Sequence, residues 1–164
     1  MNSLSWMIGH LAWHERLVWA RRGLGLTIEP ILDGVANGAP ASTPPLDEMW
    51  SAWERIAAIA DPLLDAFSAI DLTRPLAFDR RTDAPAAGTE VLRVIYHYWN
   101  HIGEASAVRQ LLGHVDPPEF VGDINTLAPY RSERHLGQSA RAVGGVSSVG
   151  APELEGWRPK PSCA

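Results

Sequence analysis

The chain has 164 residues, of which 46% are hydrophobic, enough for one domain with an apolar core. Its 14 Lys and Arg against 19 Asp and Glu give a net charge of −5, which argues against bulk nucleic-acid binding, because such binding depends on neutralising phosphates. The single cysteine, Cys163, excludes an intramolecular disulfide and a cysteine-rich zinc site.

The first predicted helix runs from about residue 3 to residue 22. Apolar residues recur in it at spacings of three and four and cover two of its sides, a pattern typical of a helix at the centre of a bundle. His10, Glu15 and Arg16 interrupt the apolar run before it reaches the roughly 20 residues of a membrane span. We therefore predict no membrane partner and expect a cytoplasmic protein, as the scarcity of cysteine also suggests.

The second predicted helix covers residues 46–69 and carries an apolar stripe over about six turns. Pro62 lies inside it and predicts either a kink or the start of a new helix. A connector rich in proline and glycine precedes this helix, and a short helix is expected within the connector at residues 30–35.

The third predicted helix covers residues 89–112 and ends before Gly113. Its apolar spacing predicts that Ile95, Tyr98 and Ile102 belong to the buried face. No segment shows the alternation typical of a strand, so we predict an all-α fold.

Two domain-level predictions concern the C-terminal part. We expect a helical domain over residues 1–131, in which residues 116–131 form an irregular segment that lies over the bundle. Residues 132–164 are rich in Ser, Gly, Ala and Pro, which predicts a flexible tail.

Four of the six histidines form two pairs at i, i+4: His10 with His14, and His97 with His101. Four residues turn an α-helix by about 400°, so the two rings of a pair face the same way and can reach one metal ion with bonds of about 2.0–2.1 Å. A third ligand would come from the other helix, and imidazole suits zinc, nickel, copper or iron. The spacing alone leaves two alternatives open, a metal site and histidines that only pack at the edge of a bundle.

Three segments resemble the DinB-like superfamily of bacterial four-helix-bundle proteins. SLSWMIGHLAWHE at 3–15 is similar to the family's S-x-x-W-x-x-x-H-L signature, and HYWNHIGEASAVRQLLGH at 97–114 resembles its H-x-x-x-H helix. The connector DLTRPLAFDRR at 71–81 is similar to the family segment before that helix. The resemblance covers about residues 3–114 and implies a DinB-like four-helix bundle.

The resemblance also implies a site and a chemistry. The family's histidine triad falls on His10, His97 and His101, and it usually holds a divalent metal, commonly nickel or zinc, with water in the open positions. Some members are thiol-dependent transferases or isomerases that use bacillithiol, mycothiol or glutathione, and many have no known activity.

One departure from the family pattern concerns the number of helices. Family members usually carry a full helix before the signature that here begins at Ser3. Three explanations stay open: the true start lies upstream of Met1, a partner chain supplies the missing packing, or the segment after Gly113 covers the exposed face. Because the first helix is apolar on two sides, we expect a homodimer or an intramolecular cover.

Further residues near the triad have predicted roles. His14 is open to three interpretations: a fourth metal ligand, a group that orients a ligand, or a packed histidine. Glu15 and Glu104 are candidates to accept the N–H of a ligand imidazole, and Glu104 is also a candidate general base. Arg109 is a candidate to hold an anionic substrate or cofactor. The alternative for Glu104 is a solvated charge on the helix, and the alternative for Arg109 is a surface or salt-bridge residue.

Three classes of function follow. The leading hypothesis is a metal-dependent transferase that joins a low-molecular-weight thiol, such as mycothiol, to an electrophilic small molecule. The alternatives are a metal-dependent hydrolase and a non-catalytic dimeric bundle, structural or stress-related. In that bundle the histidine site is degenerate, or the histidines are structural or bind metal without turnover. A nucleic-acid adaptor is suggested only by the family's name, and the charge argues against it.

Overall fold

The computed structural model describes residues 2–116 and 122–128. They belong to two units, of which the first ends at Phe120 and the second begins at Val121. The described part of the first unit contains three α-helices and no β-strand, which confirms the all-α prediction. In chain order its helical elements are α1 (Leu4–Glu15), a π-helical segment (Arg16–Gly23), a 3-10 turn (Pro30–Val35), α2 (Leu46–Asp65), a 3-10 turn (Asp71–Thr73) and α3 (Ala87–Leu111).

The first predicted helix, 3–22, is two kinds of helix in the structure. The Ser3 hydroxyl accepts a hydrogen bond from the Trp6 amide at 3.1 Å and so caps α1. After Glu15 the chain continues without a break as the π-helical segment and ends at Gly23. Apolar spacing over eight residues does not distinguish the wider π turns from α turns, so the pattern predicted a single α-helix.

The second predicted helix, 46–69, ends four residues earlier in the structure, at Asp65. The Ser68 amide donates to the Asp71 carboxylate at 3.0 Å, a local bond that competes with continuation of the helix. Pro62 neither ends α2 nor starts a new helix, because the helix is continuous through it. The third predicted helix, 89–112, begins two residues earlier, where the Ala87 amide donates to the Arg74 carbonyl at 2.7 Å.

Two apolar clusters form the core. The first joins α1 and α2 to the 3-10 turn between them, and its buried members are Ala12, Leu32, Val35, Met49, Ala52 and Ile56. The second joins the π-helical segment, the end of α2 and the start of α3, and its buried members are Val18, Trp19, Ala60, Leu76, Ala87 and Val94. Together they pack the continuous helix formed by α1 and the π-helical segment against α2 and the start of α3.

The buried face of helix α3 is partly polar. Its buried residues are Ala87, Glu90, Val94 and His101. Ile95 and Ile102, which the apolar spacing placed on the buried face, are exposed by 43% and 38%. The prediction failed because it followed apolar residues, whereas the face that packs on α1 carries ionisable groups.

The second unit is described only over residues 122–128. It contains the four-residue helix α4 (Ile124–Leu127), whose first turn is capped by the Asp123 carboxylate. Half of the predicted covering segment 116–131, the boundary at residue 131 and the tail at 132–164 lie outside the described residues. Within the described ranges, no helix is long and apolar enough to cross a membrane.

The approach of α1 to α2 at Gly9 gives a test of the packing. A Cβ added at Gly9 would lie 2.3 Å from Sδ of Met49, which is 1% exposed, and 3.1 Å from Cγ2 of Val35. We expect Gly9→Ala to lower the free energy of unfolding by about 1–3 kcal/mol, because overpacking outweighs the helix propensity of alanine.

Urea unfolding measures this effect, and Gly103→Ala in α3 is the matched control. A Cβ at Gly103 meets nothing within 4 Å, so that variant should be unchanged or stabilised by up to about 1 kcal/mol. Equal stability of the two variants would contradict the described contact.

Candidate metal centre

Three histidines from two helices converge at the interface of α1 and α3. His10 comes from α1, His97 and His101 come from α3, and one ring nitrogen from each lies within 4.8 Å of the other two. His10 and His101 are each 7% exposed, and His97 is half-buried. The structure therefore brings together the three residues that the sequence predicted as a triad.

The imidazole ring of His10 is held by a hydrogen bond at Nδ1 and by a tryptophan stacked on each face. Its Nδ1 lies 2.7 Å from the Val35 carbonyl oxygen, so Nδ1 carries the proton and Nε2 keeps a free lone pair. The ring is stacked between Trp6 and Trp13, at centroid distances of 4.5 and 5.2 Å. These contacts fix the tautomer and the plane of the imidazole before any ligand binds.

His101 is oriented by Glu104, one turn further along α3. Nδ1 of His101 donates to Oε2 of Glu104 at 2.9 Å, which leaves the lone pair on Nε2. The other carboxylate oxygen, Oε1, accepts from both the backbone amide and the side-chain amide of Asn2, each at 3.3 Å. The carboxylate is thus anchored from the start of the chain while it orients the imidazole.

His97 completes the cluster and carries an unpaired atom. Its Nε2 lies 3.1 Å from Nε2 of His101, whereas its buried Nδ1 has no hydrogen-bond partner among the described residues. The ring of His14 meets that of His97 edge to face at 4.5 Å, and Nδ1 of His14 is also buried without such a partner. His14 therefore borders the triad through His97.

Burial favours the neutral form of His10, His14 and His97. Desolvation lowers the pKa of His97 to about 3, with further lowering from the neighbouring histidines. Desolvation also lowers the pKa of His14 to about 4, against the negative charge of Glu90, which raises it. The pKa of His10 is lowered in the same way. Neutral imidazoles with inward lone pairs are the form that binds a metal ion.

The arrangement fits a divalent metal ion. Two imidazole nitrogens bound to one ion at a tetrahedral angle lie about 3.3 Å apart for bonds of about 2.05 Å, close to the 3.1 Å between His97 and His101. Two nitrogens bound to the same ion can be at most about 4.2 Å apart, which is twice the bond length. The three ring nitrogens lie within 4.8 Å of one another, so small side-chain rotations would bring them within that distance. Three imidazoles suit zinc, nickel, copper or iron.

The other predicted residues have different partners. The Glu15 carboxylate accepts a hydrogen bond from the Tyr98 hydroxyl, and its burial raises its pKa. Arg109 lies two turns beyond His101 on α3, and its Nε donates to Nδ1 of His114 at 3.4 Å. The contact of Glu15 with a metal-binding imidazole and the contact of Arg109 with an anionic substrate or cofactor stay predictions.

Sequence reasoning missed four contributors to the cluster: Asn2, Trp6, Trp13 and the Val35 carbonyl. Trp6 and Trp13 lie at i−4 and i+3 from His10, so helical spacing would have indicated them. The contacts of Asn2 and Val35 are tertiary, and no local pattern marks them.

Comparison with known proteins gives a family. A model of the DinB superfamily matches residues 1–105, which include all three histidines. Searches of the curated proteins and of the solved structures found no match.

The lowered pKa of His14 predicts a pH dependence of stability in metal-free protein. The unfolded chain binds a proton at this position below about pH 6.5, whereas the folded chain binds it only near pH 4. The free energy of unfolding should therefore fall as the pH is lowered from 6.5 to 4.

Urea midpoints measured in EDTA between pH 7.5 and 4.5 test this prediction. His14→Gln should make the midpoint less dependent on pH, whereas His114→Gln, at an exposed position, should leave the wild-type slope unchanged. Identical slopes for wild type and His14→Gln would contradict a buried neutral His14.

Proposed function

Because the chain belongs to the DinB superfamily, we propose that it binds nickel or zinc through His10, His97 and His101 and transfers a low-molecular-weight thiol to an electrophilic small molecule. The observation that supports this best is the convergence of three imidazoles from two helices, with two of their tautomers fixed by hydrogen bonds. A core of packing histidines would not need lone pairs that face one point.

The metal and the protein have separate tasks in this proposal. A bound divalent ion supplies Lewis acidity, which favours the thiolate form of a thiol at neutral pH. The three imidazoles leave a coordination position open for that thiol. The S–H bond of the thiol breaks, and a bond forms between its sulfur and an electrophilic carbon. The bond broken at that carbon is the C–Cl bond of an aryl chloride, which releases chloride and a proton, or the C–O bond of an epoxide or the C=C π bond of an unsaturated acid, whose oxygen or α carbon then takes up the proton.

Glu104 is a positioning residue in this account. Its Oε2 holds the proton of His101 on Nδ1, and its Oε1 is occupied by the two amides of Asn2. A carboxylate with both oxygens engaged orients its imidazole, so we assign it that task in place of the general base. Arg109 remains the proposed contact for an anionic group of the substrate, and we place the reaction in the cytoplasm, where small thiols stay reduced.

Activity is tested with protein loaded separately with nickel and zinc. Mycothiol, bacillithiol and glutathione are each offered with an epoxide, an aryl chloride and an α,β-unsaturated acid, and products are identified by mass. We expect a thiol adduct whose rate falls at least about 100-fold in His97→Ala or after removal of the metal.

Other results would decide for the alternatives. Turnover without any thiol would favour the metal-dependent hydrolase. Metal-loaded, folded protein with no product from the panel would contradict the thiol transferase and favour the non-catalytic bundle.

The positioning role of Glu104 predicts a loss of metal affinity. Glu104→Gln should weaken zinc binding about 10- to 100-fold, because the amide oxygen holds the N–H of His101 less strongly than the carboxylate. Competition with a chelating dye measures the affinity. Glu48→Gln, exposed on α2 and equal in charge change, should bind zinc as the wild type does, and an equal loss in both variants would contradict the role.

We also propose that the chain forms a homodimer through the outward face of α3. Leu92, Ile95, Tyr96 and Ile102 lie at helical spacing on this face and are exposed by 38–68%. A contiguous apolar stripe of this kind is rarely left open on a monomer.

Sedimentation equilibrium tests the dimer with a variant on α3 and a control elsewhere. Wild type should sediment as a dimer and Ile95→Glu as a monomer. Ile31→Glu, at a position 45% exposed in the first 3-10 turn, should stay dimeric. A wild-type monomer, or equal dissociation of both variants, would contradict this interface.

A further inference from the structure

A cavity lies at the end of the π-helical segment, where the loop after the second 3-10 turn packs against that segment. It has a volume of about 430 Å³, and Leu17 and Phe78 supply its apolar lining. Its charged lining is Arg21, Arg22, Asp79, Arg80 and Arg81. We call this cavity the arginine pocket.

A fully buried carboxylate orients two of these arginines. Glu90 of α3 is 0% exposed, and its Oε1 accepts from Arg22 at 3.3 Å and from Arg81 at 2.7 Å. The Asp79 carboxylate holds the same Arg81 through both Nε and Nη2, and this contact lowers the pKa of Asp79 to about 2. The guanidinium groups of Arg22 and Arg81 are therefore fixed in place in the free protein.

The backbone fixes the loop against the helix end. The Phe78 amide donates to the Arg22 carbonyl at 2.8 Å, which ties residue 78 to the last turn of the π-helical segment. Gly25 has φ +72°, and a Cβ there would lie 2.8 Å from the ring of Phe78. The two walls of the pocket are thus joined by a tertiary hydrogen bond and a close glycine contact.

The pocket carries an excess of positive charge. Its four arginines exceed the carboxylates of Asp79 and of Glu90, which lies beside the pocket, by two charges, in a chain whose net charge is −5. Glu90 also pairs with Arg93, outside the pocket, at 3.2 Å, so the excess is at least two charges. Arg21 and Arg80 form no ion pair with any residue that the structure describes, whereas Arg22 and Arg81 do. Burial lowers the pKa of Arg22, and repulsion from Arg81 lowers it further.

We propose that the arginine pocket binds the phosphate group of a small-molecule ligand. Guanidinium groups present planar forks of N–H donors that match phosphate oxygens. A phosphate monoester carries a charge of about −1.5 to −2 at pH 7, which offsets both excess charges, whereas one carboxylate offsets only one. Leu17 and Phe78 would contact the carbon part of the ligand, and the cavity is large enough for both parts.

Binding is tested by calorimetry on the full chain with two probes that share a ring. Phenyl phosphate should bind with a dissociation constant below about 1 mM, and benzoate at least about tenfold more weakly. The titration is repeated in EDTA, and loss of binding there would assign the phosphate to the histidine cluster and overturn the proposal.

Two charge-matched double variants locate the probe. Arg21→Gln with Arg80→Gln removes the two arginines without ion pairs and should weaken phenyl phosphate at least about tenfold. Arg55→Gln with Arg74→Gln removes equal charge outside the pocket and should change the affinity less than about threefold. Circular dichroism confirms that each variant is folded.

Three results would overturn the proposal: no binding of phenyl phosphate, equal weakening in both double variants, or benzoate bound as tightly as the phosphate. Lipid headgroups carry the same chemistry, so sedimentation with phosphatidylglycerol vesicles is a separate arm. Vesicle binding that depends on Arg21 and Arg80, without binding of phenyl phosphate, would assign the pocket to a membrane surface and reject the small ligand.

Discussion

The packing of ionisable side chains between α1 and α3 is the constraint on which the rest of the structure depends. His10, His97, His101 and Glu90 lie where a bundle normally buries aliphatic residues. A buried polar group is costly unless it is hydrogen-bonded. Glu104, held by Asn2, and the Val35 carbonyl satisfy Nδ1 of His101 and Nδ1 of His10, whereas Nδ1 of His97 has no such partner. The lone pairs of His10 and His101 converge with a ring nitrogen of His97 within 4.8 Å. A metal ion is the ligand that would satisfy those lone pairs together.

This interface also connects two polar regions. The negative charge of Glu90 raises the pKa of His14, although burial lowers it more, and the same carboxylate holds Arg22 and Arg81 at the arginine pocket. His14 in turn packs against His97. The charge of Glu90 therefore acts both on His14, beside the histidine cluster, and on the arginines of the pocket. It neutralises part of the arginine charge that would otherwise act on the buried histidines.

The sequence predicted the features that depend on local periodicity. Helical spacing gave three helices within a few residues of their ends, and the two i, i+4 pairs, together with the family resemblance, gave His10, His97 and His101. The π-helical form of residues 16–23 was not predicted, because the buried residues of this segment also fit the spacing of an α-helix. The contacts of Val35 with His10, of Asn2 with Glu104 and of Glu90 with Arg22 were not predicted. Each joins residues more than 20 positions apart, which spacing on one helix does not record.

Metal content measures the central claim most directly. Untagged protein is exposed to nickel or zinc and desalted, and its metal is quantified by mass spectrometry beside the His97→Ala, His101→Ala double variant. The account predicts about one metal ion per chain in the wild type and in His114→Ala, and almost none in the double variant. A folded wild type that retains neither metal, or a double variant that retains as much as the wild type, would contradict it.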